Sequence, residues 1–356
     1  MINPDICKRN LQIMAEKASS SGVIFRPHFK THQSLILGRW YKDAGISKIT
    51  VSSLSAAEYF ANDGWKDITV AFPVNLREID LINQLAKTVR IGLLLENPQV
   101  AIALDCELKY NADVYIKIDT GYHRTGLMPG EMPVIKDLAD RVQNSNHLNL
   151  AGLLTHAGHT YHAPNAAAIK NIYAESTRIL NDVKNNLSYL GQDLILSYGD
   201  TPSCTLMESF ENIQEIRPGN FIFYDLMMID AGVCDPSQVG GIVVCPVVAT
   251  HPSRNQAVLY GGAIHFSKDS ILIDGKRGYG QMVEMNAKGW HKPIPGAWLV
   301  SLSQEHGILE APPEVIMNLK PGSVVGILPV HACLTANLLH GYQLTDGGIA
   351  DYFIGN

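Results

Sequence analysis

The sequence lacks long apolar runs and stretches of like charge. Its 356 residues carry a formal net charge of −6, from 28 lysines and arginines against 34 aspartates and glutamates. A nucleic acid or an anionic membrane surface would need clustered positive charge, so neither is expected as the main partner. No segment reaches the roughly 20 apolar residues that span a bilayer. The polar first residues also lack the apolar core of a signal peptide.

The six cysteines are scattered and show no close pairing. With no export signal to indicate an oxidising compartment, we expect free thiols and a cytoplasmic protein. A glycine-rich dinucleotide-binding turn is also absent after the first apolar run. What the sequence does contain is a hydrophobic fraction of 46%, which suits a globular chain with a sizeable core.

Apolar runs alternate with helical segments over the larger, N-terminal part of the chain. Alternating strands and helices indicate a parallel sheet. Eight such runs predict a closed (β/α)8 TIM barrel, and the alternative is an open doubly wound sheet. Further along, glycine and proline separate short strands, which predicts a C-terminal antiparallel β domain. We expect the barrel over residues 1–235 and the β domain over residues 236–356. The eight runs are 23–25, 48–51, 68–71, 89–95, 114–118, 150–155, 194–198 and 215–217.

A lysine between two histidines follows the first predicted strand, in the segment 26–32 (RPHFKTH). When a lysine is held in a pocket its pKa falls, and the neutral amine can form a Schiff base. We therefore expect Lys30 to carry an aldehyde cofactor, pyridoxal phosphate; the alternative is a lysine in a basic surface loop. The carboxyl ends of barrel strands are where catalysis takes place, so Lys30 and His28 are predicted at the catalytic rim.

Polar residues follow later strands as well. Arg124 comes after the fifth strand, and it could contact the pyridine nitrogen of the cofactor or pair with Asp119. The segment 156–162 (HAGHTYH) follows the sixth strand. One of its histidines or tyrosines, with His156 and Tyr161 as candidates, could stack on the cofactor ring. The histidines of this segment could alternatively bind a metal.

Two glycine turns follow the last two predicted strands, at 199–201 (GDT) and 218–220 (PGN). Barrels often bind a phosphate between the loops after strands seven and eight. Glycine lets backbone N–H groups approach an anion closely, and Thr201 adds a hydroxyl. These two turns are therefore predicted to hold the cofactor phosphate, with ordinary turns as the alternative.

A histidine and a cysteine two positions apart, His331 and Cys333, come after a run predicted as a strand over residues 323–327. Residues i and i+2 of an extended segment face the same side, so both side chains could reach one ion. Imidazole with thiolate suits Zn²⁺, and two protein ligands leave the open positions that a catalytic metal requires. The alternative is a buried cysteine beside a hydrogen-bonded histidine.

Taken in order, these segments make the chain similar to the D-threonine aldolase and eukaryotic-type D-serine dehydratase family. Its members are fold-type III pyridoxal phosphate enzymes, related to alanine racemase. The similarity covers about residues 3–352. The segments that carry it are 26–32 (RPHFKTH), 156–161 (HAGHTY), 217–220 (RPGN), 223–225 (FYD), 305–307 (EHG) and 331–333 (HAC).

The resemblance implies roles for individual residues. Lys30 would hold pyridoxal phosphate as a Schiff base and remove the substrate Cα proton. His331 and Cys333 would bind a divalent metal, Zn²⁺ in the first place, with Mn²⁺ or Mg²⁺ as alternatives. A homodimer that acts on a small D-amino acid is also implied. The implied cofactor-lining residues are Tyr161, Tyr198, Gly199, Thr201, Gly219 and Asn220.

The cysteine at position 333 bears on the reaction. Aldolases of this family more often carry aspartate there, whereas its dehydratases carry cysteine. We therefore expect dehydration of a β-hydroxy D-amino acid, such as D-serine or D-threo-3-hydroxyaspartate, to a 2-oxo acid and ammonia. The alternatives are a D-threonine aldolase that gives glycine and an aldehyde, a racemase, and a non-catalytic cofactor carrier. The chain departs from the family pattern at Asp200, where glycine is common, and at Val330, where a small polar residue is usual.

Overall fold

The computed structural model describes residues 1–355. The described chain forms two compact units, one from residues 1–12 with 220–352 and one from residues 13–219 with 353–355. Helix α1 (Pro4–Ser20) contributes to both. The boundary expected at residues 235 and 236 stays a prediction of domain organisation. Across residues 1–355, no helix has the length and apolar character needed to cross a membrane.

The larger unit is built on an 8-stranded parallel sheet in the order β1-β8-β7-β6-β5-β4-β3-β2. Helices between the strands start at side chains that cap free N–H groups, as Ser34 and Ser53 do for α2 and α3. The strands are β1 (Ile24–Phe25), β2 (Lys48–Val51), β3 (Asp67–Pro73), β4 (Arg90–Leu95), β5 (Ala112–Lys117), β6 (Leu148–Thr155), β7 (Ile195–Tyr198) and β8 (Glu215–Ile216). The helices are α2 (Leu35–Asp43), α3 (Leu54–Asn62), α4 (Ile79–Ala86), α5 (Pro98–Glu107), α6 (Met132–Gln143), α7 (Ala166–Asn186) and α8 (Thr201–Leu206).

The backbone directly after β1 closes this sheet into a barrel. Thr50 donates its N–H to the Pro27 carbonyl (2.9 Å) and accepts from the Phe29 N–H (2.8 Å). On the other side, the His28 N–H donates to the Pro218 carbonyl (2.9 Å). The predicted (β/α)8 barrel is therefore confirmed, and the segment that precedes Lys30 is the one that completes it.

A layer of buried charge lies in the barrel, where Glu215 is fully buried. Its Oε2 accepts from Arg26 Nε (2.6 Å), and its Oε1 from the Ser197 hydroxyl (2.5 Å). Arg26 also reaches Asp67 (2.5 Å). Buried charges are stable in this way only when they are paired and hydrogen-bonded.

The smaller unit contains a closed antiparallel barrel in the order β10-β15-β14-β13-β16-β9, so the predicted antiparallel β region is confirmed. Its core is apolar and includes Val247, Leu259, Leu299 and Ile327. Its strands are β9 (Val243–His251), β10 (Gln256–Tyr260), β11 (Ile271–Ile273), β12 (Lys276–Gly278), β13 (Gly280–Asn286), β14 (Gly289–Leu302), β15 (His306–Glu310), β16 (Val324–Pro329), β17 (Tyr342–Gln343) and β18 (Ile349–Ala350). Its helices are α9 (Leu226–Asp230), α10 (Ala263–Phe266), α11 (Pro313–Asn318) and α12 (Ala332–Leu339).

Candidate active-site residues

Lys30 is exposed, whereas the backbone segment directly before it is held in place by packing. Its neighbour Phe29 is fully buried, with ring centroids of Tyr41, Phe60 and Trp65 at 4.8, 5.0 and 5.1 Å. An aromatic cluster of this kind holds a backbone position by packing rather than by local preference. The anchor leaves the Lys30 side chain at the rim while its main chain is fixed.

His28 and His156 are both held neutral near Lys30. Burial lowers the pKa of each imidazole well below its usual range, and the positive charge of Lys30 lowers it further. His156 Nδ1 lies 2.5 Å from the Gly199 carbonyl oxygen. Because a carbonyl only accepts, Nδ1 carries the proton and Nε2 keeps its lone pair.

Thr201 joins two of the loops predicted to bind the cofactor. The Gly219 N–H donates to the Thr201 hydroxyl (3.3 Å), and the Thr201 N–H donates to the Tyr161 hydroxyl (3.2 Å). A Cβ at Gly219 would lie 2.8 Å from the His28 carbonyl oxygen and 3.0 Å from the Thr31 hydroxyl. Glycine is therefore required there for the loop after β8 to pack on the lysine segment.

Arg124 lies over the ring of Tyr122, with its guanidinium carbon 5.0 Å from the ring centroid. Asp119 makes a contact with His123 Nδ1 (3.1 Å) rather than with Arg124. The Tyr122 ring also lies 5.9 Å from that of His156, edge to face. The loop after β5 thus places Arg124 beside the histidine loop, and the alternative pairing with Asp119 is not what the structure shows.

Tyr198 and Asp200 lie outside this group of side chains. The Tyr198 ring packs edge to face on Tyr173 of α7 (5.0 Å), and its hydroxyl is 3.0 Å from that of Ser203. Asp200 caps α8 by accepting from the Ser203 N–H (2.6 Å). Burial raises the pKa of Asp200 to about 6. The carboxylate that departs from the family pattern therefore has a local structural role.

Two buried basic residues of the barrel, Lys117 and Arg217, have no role assigned from the sequence. Burial lowers the pKa of Lys117 to about 7, with the charges of Arg217 and Arg124 acting in the same direction. Arg217 donates to the Ser197 hydroxyl and to the Thr155 carbonyl (2.6 Å). The sequence did contain a signal for Lys117. Residues two positions apart in a strand share a face, and Tyr115 on the same face of β5 is also buried.

His331 and Cys333 lie in the smaller unit, at the start of α12. The extended segment expected across them is wrong: His331 has extended backbone angles as the N-cap residue, but Cys333 is already in the helix. The two side chains are nevertheless close enough for Cys333 to raise the pKa of His331. Burial lowers the pKa of His331, but Cys333 and the carboxylates of Asp225 and Asp269 outweigh it and raise that pKa to about 10.

The turn at the start of α9 holds the backbone on both sides of His331. The Met227 N–H donates to the Val330 carbonyl (3.2 Å), and the Ala332 N–H donates to Asp225 Oδ2 (2.9 Å). Asp225 is fully buried, and none of these partners was assigned a role from the sequence. The position of His331 therefore depends on residues about a hundred places earlier in the chain.

Asn220 belongs to the same hydrogen-bond group. Its Nδ2 donates to Asp225 Oδ2 (2.8 Å), and its Oδ1 is buried without a hydrogen-bond partner within residues 1–355. Phosphate oxygens are acceptors, and one of the two Nδ2 hydrogens is donated to Asp225. The second Nδ2 hydrogen and the backbone N–H are the donors that Asn220 can offer to a phosphate.

No group of three or more histidine, cysteine, aspartate or glutamate side chains forms a metal-ligand set in the part of the chain described, residues 1–355. A structural zinc site would normally need four protein ligands. A metal at His331 and Cys333 would therefore keep positions for water or substrate. The metal alternative for the histidines of the 156–162 segment gains no support.

Residues 2–226 match the family model described as alanine racemase, N-terminal domain. The chain belongs to this family. Residues 241–345 match the model of a serine dehydratase domain. The family predicted from the lysine segment and the His-x-Cys pair is therefore confirmed.

Relatives of this alanine racemase-like chain include two named dehydratases. The D-serine dehydratase of Dictyostelium discoideum is 28% identical, covering 97% of this chain and 92% of its own length. The D-threo-3-hydroxyaspartate dehydratase of Delftia sp. (strain HT23) is 28% identical, covering 98% and 94%. The solved structure of the Delftia enzyme has a TM-score of 0.89 and covers 100% of this chain and 97% of that one.

Three further solved structures match this chain. The D-threonine aldolase from Filomicrobium marinum, 23% identical over 99% of this chain and 93% of its own, shares the fold with a TM-score of 0.85. A cysteine-to-alanine mutant of a D-threo-3-hydroxyaspartate dehydratase was solved in a metal-free form, and a histidine-to-alanine mutant is also known. In that protein the two substituted residues are two positions apart.

Proposed function

We propose that this chain is a lyase that uses pyridoxal phosphate and a divalent metal to act on β-hydroxy D-amino acids. The reaction is dehydration of D-serine or D-threo-3-hydroxyaspartate to a 2-oxo acid and ammonia. The observation that carries this is the His331–Cys333 pair, in a chain similar to two dehydratases over nearly its whole length.

The barrel residues fit pyridoxal phosphate. Lys30 supplies an exposed amine at the rim, next to the neutral imidazoles of His28 and His156. Gly219 and Thr201 bring N–H and hydroxyl groups together at the loops where barrels bind phosphate. The positive charges of Arg124 and of buried Arg217 also suit an anionic cofactor.

Each group has a defined task in this reaction. Pyridoxal phosphate, when bound, stabilises the negative charge that develops at Cα, and the metal polarises the β-hydroxyl as a Lewis acid. Lys30 would hold the cofactor, and its amine would take the Cα proton. His331 and Cys333 would hold the metal. The overall reaction converts the substrate into a 2-oxo acid and ammonia. One water molecule leaves on elimination, and one is taken up when ammonia is released by hydrolysis.

Product analysis tests the reaction. The protein, loaded with pyridoxal phosphate and Zn²⁺, is incubated separately with D-serine, D-threo-3-hydroxyaspartate, D-threonine and L-serine. We expect ammonia and a 2-oxo acid in equal amounts from at least one of the first two, and nothing from L-serine. Glycine with an aldehyde would instead establish an aldolase, and racemised substrate would establish a racemase.

The substitution Lys30→Ala tests the role of the lysine. We expect turnover to fall by at least the roughly 10²- to 10⁴-fold that a positioned acid–base group supplies, together with loss of the visible absorbance of the lysine-bound cofactor. Lys170→Ala, an exposed lysine on α7, is the matched control and should keep both. Unchanged cofactor absorbance in the Lys30 variant would refute the assignment.

The proposal extends to the identity of the metal, the oligomeric state and the location in the cell. We propose Zn²⁺ as the metal, with Mn²⁺ or Mg²⁺ as alternatives, because imidazole with thiolate suits zinc. We also propose a homodimer and a cytoplasmic location. Metal analysis of protein purified without added metal, light scattering and cell fractionation test these in turn.

A further inference from the structure

The imidazole of His331 is bound on one side by a carboxylate from another segment. Its Nδ1 lies 2.6 Å from Asp269 Oδ2. An ionised carboxylate only accepts hydrogen bonds, so Nδ1 carries a proton and donates it. The nitrogen left to bind a metal is therefore Nε2.

Asp269 reaches His331 because its segment is attached to the helix that His331 begins. The Thr335 hydroxyl of α12 donates to the Phe266 carbonyl at the end of α10 (3.3 Å). The Asp269 N–H then bonds to the Ser267 hydroxyl (3.2 Å). These bonds connect the Asp269 backbone to the same helix turn that carries the two metal-binding side chains.

The backbone clamp from α9 does not fix the ring. Bonds to Val330 and Ala332 hold the main chain of His331 but leave rotation about its side-chain torsions. The Asp269 contact removes that freedom and selects one ring nitrogen. Metal-binding histidines commonly have such a carboxylate partner, and losing it typically costs about 10- to 100-fold in metal affinity.

We propose that Asp269 is a positioning residue for the metal: it orients the His331 ring and keeps Nε2 directed at the ion. This rests on the proposed function, in which His331 and Cys333 bind that ion. Asp269 itself does not contact the substrate in this scheme. Its side chain is 39% exposed, so the contact lies at an accessible edge of the unit.

Zinc affinity of the full-length protein, loaded with pyridoxal phosphate, tests this role. A chromogenic chelator competes for Zn²⁺ with the wild type, Asp269→Ala, Asp269→Asn and a control, Asp274→Asn. Asp274 is an exposed aspartate between β11 and β12. We expect the alanine variant to bind about 10- to 100-fold more weakly, the asparagine variant to recover most of the loss, and the control to match the wild type.

Nitrogen-15 NMR gives a second readout, the protonation and metal binding of the two ring nitrogens of His331. A purely structural role of Asp269 would not change this readout. In the zinc-loaded wild type, His331 should show a protonated Nδ1 and a metal-bound Nε2, and Asp269→Ala should show mixed states. Equal affinity in Asp269→Ala and wild type would overturn the role of Asp269. So would an asparagine variant as weak as the alanine one. Failure of the wild type to bind zinc at all would instead refute the metal part of the proposed function.

Discussion

In the larger unit, Lys30 follows a segment whose main chain is hydrogen-bonded to strands on both sides, beside a fully buried Phe29. In the smaller unit, His331 is the N-cap residue of α12 and is contacted by Asp225 and Asp269 from two other segments. The first arrangement places a reactive group by closing a sheet. The second places it by side-chain contacts over long sequence distances.

This difference matters for how each site can be perturbed. Closing a parallel barrel fixes many strand ends at once, so the rim residues are positioned by backbone geometry. A metal ligand pair at a helix start has few such constraints, so nearby carboxylates must supply them. We therefore expect the Lys30 region to be sensitive to the barrel interior and the proposed metal site to individual polar contacts.

The largest effect on stability is expected inside the barrel. Glu215→Ala removes the fully buried partner of Arg26 and leaves it only the partly exposed Asp67. Removing one partner of a buried ion pair costs up to about 3–5 kcal/mol. Asp113→Ala removes the partner of Arg90, whose side chain is 61% exposed, and surface pairs are worth about 0–1 kcal/mol. Urea denaturation measures both. Equal losses in the free energy of unfolding would mean that the buried charged layer does not stabilise the barrel more than a surface ion pair does.

Single substitutions at Cys333 and at Lys30 are expected to affect metal and cofactor separately. Cys333→Ala should lose bound zinc by more than the roughly 10- to 100-fold that an outer partner contributes, yet keep the absorbance of the lysine-bound cofactor. Lys30→Ala should do the reverse. Cys234→Ala, a half-buried cysteine of the same unit, is the control and should keep both. Joint loss of metal and cofactor in either variant would contradict independent positioning.

A pH dependence of folding stability is expected at Asp200, confined to a few pH units. Its pKa is about 6 in the folded protein against an ordinary 3.8, so the unfolded chain ionises first as pH rises. Folding stability supplied by the neutral carboxyl is complete below about pH 4 and is lost towards pH 6, by up to about 3 kcal/mol. Asp200→Asn keeps an oxygen to cap α8 and cannot ionise.

Stability curves of the wild type and Asp200→Asn, measured without cofactor between pH 4 and pH 8, test this. The folding stability of the variant relative to the wild type should increase as pH rises, and the increase should level off above about pH 7. Asp80→Asn, an exposed aspartate in the first turn of α4, is the control. A constant difference between the two proteins across this range would show that Asp200 stays ionised.

Much of the barrel site could be predicted from the sequence because its signals are local. A strand shows its end by the change from apolar to polar residues, and parallel strands bring those ends to one rim. Lys30, His156, Thr201 and Gly219 were predicted as site residues in this way. Tyr198 shows the limit, since its neighbour Gly199 contacts His156 while its own ring packs on α7.

Local patterns of residues were enough to predict the barrel and the β-rich second region, and to single out the lysine segment and the His-x-Cys pair. Each of these signals lies in residues that are close together in the chain. Folding is what brings Lys117 and Arg217 into the same barrel interior, and what brings Asp269 to His331 across 62 positions. Such contacts depend on how distant segments pack, and no periodicity or spacing in the sequence encodes a hydrogen bond between two particular side chains.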